Sequence, residues 1–169
     1  GIGVQTDVTV EAPVFQRVAV GDSRPLIAAA TNQGINEATI DIVLVSPDYK
    51  VAATSLTIPP GGTTPITVTF TPTRRDILDA VLVLRTSDGT EVRTTLSNEG
   101  VEPEIDIPID AQGKDPVRVS DQDTLTFTVR NAGTDQLRIS SLRLPLESPF
   151  GVLTTVPINI PEADSAKIQ

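Results

Sequence analysis

The chain has 169 residues, a formal net charge of −9, and neither cysteine nor histidine. Disulfides and thiolate chemistry are therefore excluded, and the commonest general base and metal ligand is missing. An acidic surface repels other polyanions, so we expect neither nucleic acid nor an anionic membrane as a partner, and no apolar run approaches the roughly 20 residues needed to cross a bilayer.

The composition favours β-structure. The chain is 38% hydrophobic but only 3% aromatic and lacks Met and Trp, so its core must consist mainly of Val, Ile, Leu and Ala. Branched side chains pack well on a pleated sheet, whereas the 14 Pro and 11 Gly would interrupt long helices. We expect almost no helix. The one Tyr and four Phe are expected mostly in the core, which leaves no aromatic platform for sugars.

Short segments of alternating apolar residues recur along the chain, and each is typical of a strand with one buried face. In chain order they are Val8/Val10, Val18/Val20, Ile40/Ile42/Leu44, Ile66/Val68/Phe70, Leu82/Leu84 and Val92/Thr94/Leu96. Groups rich in Gly, Pro, Asn, Asp and Ser separate them and are suited to turns. About seven short strands in roughly 100 residues indicate an immunoglobulin-like β-sandwich.

One hairpin stands out near the end of this first set of strands. Ala80–Arg85 and Thr90–Leu96 are joined by a turn that contains the Asp-Gly pair 88–89, which is a strong short-range hairpin signal. The hairpin should supply the last two strands of the first domain. Just before it, Asp76 and Asp79 are expected in a solvated loop.

A unit of about 100 residues repeats along the chain. Leu26–Gly34 aligns with Leu125–Gly133 at an offset of 99, keeping Leu, Asn and Gly, and Ile40 aligns with Ile139. After a three-residue insertion the offset becomes 102, which aligns Ser46-Pro47 with Ser148-Pro149, Ile58-Pro59 with Ile160-Pro161, and Ile66 with Ile168.

The repeat predicts two domains. Residues 1–101 form one immunoglobulin-like β-sandwich, and residues 102–169 form a second that lacks counterparts of Thr69–Leu96, including its last two strands. Gly1–Val4 resembles Asn98–Val101, as though a preceding repeat ended there. An incomplete sandwich would expose a hydrophobic groove and unpaired strand edges. Truncation, disorder, a shortened terminal repeat, or a strand donated by another subunit would each explain it.

The order of motifs resembles the ASH/hydin-type immunoglobulin-like repeat, which occurs in choice-of-anchor D-like bacterial surface proteins and is related to major-sperm-protein and pilus-chaperone sandwiches. The residues that carry the resemblance are Phe15 with Val18, Val20 and Gly21; Asn32-Gln33-Gly34; Ile58–Gly62; Val68–Thr73; and Leu84–Gly89 followed by Gly100-Val101. The resemblance implies a binding or scaffolding module, and the family has no catalytic residues to carry over.

Candidate chemistry is sparse. Without His or Cys only carboxylates and hydroxyls remain, and none forms a recognisable catalytic motif, so we predict neither an enzyme nor a cofactor. Calcium is the most serious metal candidate because it binds oxygen ligands on loops. Its candidate ligands are Asp121 and Asp123, and the acidic junction residues Glu102, Glu104 and Asp106. The competing interpretation, turn capping and solvated charge, is favoured, and no metal site is expected.

These observations predict a structural or adhesive spacer module of a larger repeat protein or filament, extracellular or on a bacterial cell surface rather than cytoplasmic. Its partners would be other proteins or neighbouring copies of the repeat. One alternative is an intracellular scaffold or targeting domain of the ciliary or centrosomal type. Another is a pilus-like subunit that is completed by a donor strand and polymerises through the open strand edges of the second repeat.

Overall fold

The computed structural model describes residues 7–108, 118 and 120–169, and the segment Gly1–Val4 lies outside these ranges. Within them the chain forms fourteen β-strands and no helix. The all-β prediction is therefore confirmed. The chain divides into two compact units, Gly1–Val101 (unit one) and Glu102–Gln169 (unit two).

Unit one contains a four-stranded and a five-stranded sheet. The strand order is β1-β3-β7-β5 in the first and β2-β9-β8-β4-β6 in the second, and neighbouring strands are antiparallel except for the parallel pair β2 and β9. The strands are β1 (Val8–Glu11), β2 (Arg17–Ala19), β3 (Arg24–Asn32), β4 (Ala38–Leu44), β5 (Tyr49–Val51), β6 (Ser55–Ile58), β7 (Thr63–Phe70), β8 (Asp76–Thr86) and β9 (Glu91–Val101).

The two sheets of unit one enclose an aliphatic core. Alternate residues of each strand point inward, as the period-2 pattern predicts, and the buried set includes Ile40, Val68, Leu82 and Leu84, all 0% exposed. Phe70 is equally buried, and its ring centroid lies 4.7 Å from that of Tyr49. The interior of unit one is therefore covered on both sides.

The hairpin of β8 and β9 is longer than predicted. The predicted loop containing Asp76 and Asp79 is wrong, because β8 begins at Asp76, and exposed and buried residues alternate from Ile77 onward. Asp79 is exposed while its neighbour Leu78 is 3% exposed, so Asp79 occupies the solvent face of the strand, and Asp76, the first residue of the strand, is exposed as well. The Asp-Gly turn forms as expected, with Gly89 at a φ of +88°.

Unit two has fewer strands, arranged in two small sheets. They are β10 (Ile105–Asp106), β11 (Phe127–Asn131) and β14 (Ser165–Ile168) in the order β10-β11-β14, and β12 (Leu137–Ile139) paired with β13 (Ile158–Ile160). Two strand pairs match unit one in register. Ala28 pairs with Ile66 as Phe127 pairs with Ile168, and Ala38 pairs with Ile58 as Leu137 pairs with Ile160.

Unit two is an incomplete sandwich. In unit one, β4 pairs with β6 on one side and with β8 on the other. Its counterpart β12 pairs with β13 alone among the described residues, and the described part of unit two has no equivalent of β8 or β9. One edge of β12 and the inner face of the β10-β11-β14 sheet therefore lack the cover that the corresponding parts of unit one have.

Candidate functional site

The uncovered side of unit two forms an apolar groove of about 890 Å³. Its apolar lining comes from β11, β14 and the segments between strands, and consists of Leu125, Phe127, Leu142, Leu144, Pro149, Phe150, Val152, Leu153 and Ile168. Pockets that bind small molecules and cofactors are usually mostly apolar, with a few polar groups. We therefore take this groove as the candidate binding site.

The groove is unusual because large side chains stand exposed in it. Phe127 is 54% exposed, Phe150 62% and Leu153 67%. In unit one the equivalent of Phe127 is Ala28, which is fully buried. The prediction that the Phe residues mostly lie in the core is wrong, since Phe15 is also 48% exposed and Phe70 alone of the four is buried. The composition could not distinguish a phenyl group in a closed core from one in an open groove.

Two of the candidate calcium ligands lie at the margin of the groove. Asp121 and Asp123 line it together with Arg143. The amide of Asp121 donates to the carbonyl oxygen of Arg118 at 3.0 Å, and the Asp123 Oδ1 accepts from the amide of Thr124 at 2.8 Å. The second pair of atoms forms the local side-chain to backbone contact that turns commonly contain.

The other candidates, Glu102, Glu104 and Asp106, lie near the start of unit two and contribute backbone contacts there. The Glu102 carbonyl oxygen accepts from the amide of Thr134 at 2.9 Å, and that of Glu104 accepts from the amide of Ala132 at 2.8 Å. Asp106 belongs to β10, opposite Arg130. Over residues 7–108, 118 and 120–169, no three acidic side chains come together in a way that could hold a metal ion.

A buried asparagine links the two sheets of unit two. The Asn131 side chain is fully buried, and its Nδ2 donates to the carbonyl oxygens of Asp135, Ile160 and Pro161 at 2.6, 3.0 and 3.1 Å. Its Oδ1 accepts from the amides of Gly133 and Glu104 at 3.0 and 3.3 Å. Because Asn131 lies on β11 and Ile160 on β13, one amide group connects the two sheets.

Asn32 makes corresponding contacts in unit one. Its Nδ2 donates to the carbonyl oxygens of Asn36 and Ile58 at 2.7 and 3.1 Å, and its Oδ1 accepts from the amide of Gly34 at 3.0 Å. Asn32-Gln33-Gly34 is one of the Gly- and Asn-containing segments that the sequence predicted as turns, and the role of the two asparagines in joining the sheets was missed. The repetition of Asn at an offset of 99 was the available signal.

Unit one has a second polar connection in its core. The Tyr49 hydroxyl donates to the carbonyl oxygen of Leu78 at 2.7 Å and accepts from Asn98 Nδ2 at 3.0 Å. The Asn98 Oδ1 in turn accepts from the amide of Gln16 at 2.8 Å. Burial raises the pKa of Tyr49 above its ordinary value, despite the opposing hydrogen bond from Asn98. The buried hydroxyl thus connects β5, β8 and β9 through hydrogen bonds.

The sequence and the structure of the chain were compared with those of known proteins. Neither family models nor curated proteins give a match. Among solved structures the chain is similar to the ASH/PapD-like domain 7 of human CEP192, at 13% identity over 60% of this chain and 88% of that one, with a TM-score of 0.51. The fold is that of ASH/PapD-like domains. The resemblance deduced from the sequence motifs is thereby confirmed.

Two further similarities have lower structural scores. SSP-19, an MSP-domain protein of Caenorhabditis elegans, has 18% identity over 54% of this chain and 99% of that one, with a TM-score of 0.43. The CsuC-CsuE chaperone-tip adhesion subunit complex from Csu pili of Acinetobacter baumannii has 12% identity over 96% and 89%, also at 0.43. At these identities the likeness concerns the fold alone.

Among its described residues, the structure has no helix of the length and apolarity required to cross a membrane.

Proposed function

We propose that the chain is a non-catalytic structural or adhesive module, which acts as a spacer within a larger repeat protein or filament and interacts with other proteins. The observation that carries the proposal is the recurrence of one pairing scheme. The Ala38–Ile58 and Leu137–Ile160 pairs, each with its own sheet-joining asparagine, support two serial copies of one structural unit. Serial units of this kind extend a protein without requiring any chemistry from it.

The polar interior supports a structural role. Every buried side-chain nitrogen and oxygen atom in the described residues has a hydrogen-bond partner, as expected of groups that stabilise the fold. Two displaced pKa values have structural causes as well. The pKa of Tyr49 is raised by burial, and that of Glu91 is lowered by hydrogen bonds from the exposed side chains of Arg93 and Arg85. Neither group lies in the groove.

We further propose an extracellular or cell-surface location, most simply in a bacterium. A net charge of −9 would keep serial modules soluble and separate at such a location. The alternative is an intracellular scaffold domain of the ciliary or centrosomal type, which the same β-sandwich would also serve.

Protease treatment of intact cells tests this proposal. The full-length protein, expressed in its source organism with an epitope tag next to residue 101, should be cleaved when protease is added outside intact cells. A cytoplasmic protein of the same cells serves as the control and should remain whole. If the tagged protein is cleaved only after lysis, the surface location is wrong and the intracellular scaffold is favoured.

A further inference from the structure

The open groove of unit two corresponds to a surface that is covered in unit one. There, β8 and β9 form the cover, and their inward side chains Leu82, Leu84 and Leu96 are 0% exposed. These leucines share one core cluster with Ala28 and Ile66, which are the counterparts of Phe127 and Ile168 in the groove. Unit one thus indicates what kind of element fits against this face: two antiparallel strands with aliphatic side chains at alternate positions.

We propose that the groove of unit two is the binding site for a β-hairpin of the β8–β9 type, supplied by the same polypeptide, whose first strand pairs with the open edge of β12. This inference rests on the proposed function in one respect: unit two is taken to be a copy of unit one. A hairpin satisfies two needs at once, because its backbone pairs with the edge and its side chains cover the exposed phenyl groups.

The lengths of the strands support pairing at this edge. β4, which pairs with β8, has seven residues, whereas its counterpart β12 has three. A strand with partners on both sides retains its extended conformation further along the chain than a strand with one partner. We therefore expect β12 to lengthen beyond Ile139 when the hairpin is present.

The connection in unit one favours a hairpin from the same polypeptide. Only the five residues 71–75 separate β7 from β8. Closing so short a loop costs little conformational entropy, whereas a hairpin from another molecule must also give up its translational and rotational freedom. A second copy of this chain is disfavoured further, because each copy carries a net charge of −9 and its own β8 and β9 are already paired in unit one.

Phe127 indicates how the hairpin should differ from β8 and β9. It places a phenyl group where unit one has the methyl group of Ala28. A cover with side chains as large as those of unit one would be overpacked at this point. The natural hairpin is expected to have a smaller inward side chain opposite Phe127.

The experiment appends a hairpin of known structure. Because Gln169 corresponds to Thr67, residues 68–101 are added directly after Gln169 as a second copy. The extension is made in the natural chain and in the F127A variant, which restores the alanine of unit one. The matched control extension carries L82D and L84D, which retain the length and the turn but replace two aliphatic side chains with charges.

The expected result is that the unmodified extension slows hydrogen exchange of the β12 amides, on the order of tenfold or more. It should also lower the fluorescence of a dye that binds exposed apolar surface, and the control extension should do neither. If the two extensions behave alike in both the natural and the F127A background, the proposal is overturned.

Sedimentation of the unextended chain tests the competing occupant. We expect a monomer that binds the dye. A dimer that loses the dye signal as it forms, and regains it on dilution, would identify a second copy as the occupant and overturn the proposal. None of these outcomes alters the protease result on intact cells, so a failure here and a failure of the proposed function can be told apart.

Discussion

At the scale of single residues, two asparagines stabilise the two sandwiches. Each amide lies fully buried and bonds to carbonyl oxygens on the opposite sheet, those of Ile58 for Asn32 and of Ile160 for Asn131. A hydrogen-bonded polar group in such a position adds only modestly to the net stability of the fold. Its removal is costly, however, because it leaves buried carbonyl oxygens without a donor. The sheets are thus held in one relative position by hydrogen bonds that nonspecific apolar packing would not provide.

Replacing Asn131 by alanine should therefore destabilise unit two, and N32A should do the same to unit one. We expect each to lower the free energy of unfolding of its unit by about 1–3 kcal/mol, since several buried carbonyl oxygens lose a donor. Hydrogen exchange read separately over β11 and β3 measures the effect. The exposed asparagines provide controls, and N159A and N36A should change little. An N131A variant as stable as N159A would contradict the structural role.

Tyr49 should make unit one sensitive to alkaline pH. Its folded-state pKa is raised by burial, so the folded unit keeps a proton that the unfolded chain loses near pH 10. The associated stability is fully present below about pH 10 and is lost as the pH rises from there through the folded-state pKa. Thermal unfolding followed from pH 8 to pH 11.5 should show the melting temperature of unit one falling over the upper part of this range.

Y49F separates the two contributions of the hydroxyl group. At neutral pH the variant should be destabilised by about 1–3 kcal/mol, because the Leu78 carbonyl oxygen and Asn98 lose a buried partner. Above pH 10 its stability should vary less with pH than that of the natural chain. A steep alkaline loss that persists unchanged in Y49F would assign the effect to other groups.

At the scale of strands, the repeat in the sequence predicted more than local structure. The alignment offsets of 99 and 102 correspond to the observed strand registers, since the residues aligned by sequence occupy equivalent positions in the strand pairs of both units. This works because a strand with one buried face leaves a period-2 pattern, and a shift by one residue would turn that pattern outward.

Prediction failed where tertiary contacts outweigh local signals. Asp76 and Asp79 were assigned to a loop, but the hairpin is long enough to include both, with Asp76 exposed at the start of β8 and Asp79 on its solvent face. The exposed phenyl groups of Phe127 and Phe150 were assigned to a core because aromatic residues usually lie there. The groove itself was predicted as a consequence of the missing strands, although its lining from residues 142–153 was not.

Gly133 provides a test of how closely two segments of unit two approach each other. A Cβ at this position would lie 2.3 Å from both the Glu102 carbonyl oxygen and the Glu104 amide nitrogen. Because those atoms belong to the backbone, they cannot yield as a flexible side chain could, and we expect G133A to cost about 1–3 kcal/mol. G151A is the matched control, since a Cβ there meets nothing within 4 Å. Equal melting temperatures for the two variants would refute the close approach.

At the scale of the whole molecule, the two units share a fold but differ in the size of the hydrophobic core that each contains. The buried hydrophobic residues of the described chain lie almost entirely in unit one, and unit two contributes only Val129 and Ile160. Burial of apolar surface is the main favourable contribution to folding, so the two units must differ greatly in stability. The described part of unit two depends on its sheet-joining asparagine and a few aliphatic contacts.

The molecule should therefore unfold in two steps, with unit two first. Each fully buried aliphatic side chain contributes about 1.5–3 kcal/mol to the free energy of unfolding. Unit two has few of them, so the net stability that remains after the entropy cost of ordering its chain is small. In native-state hydrogen exchange at increasing urea, the amides of β11 and β14 should exchange through an opening of lower free energy than those of β7 and β8.

F70A should lower the stability of the second step, by about 3–5 kcal/mol, and leave the first unchanged, because Phe70 is fully buried in unit one. If all four strands instead exchange through one opening, and F70A shifts them together, the chain folds as a single cooperative body and the unequal stability inferred from burial is wrong.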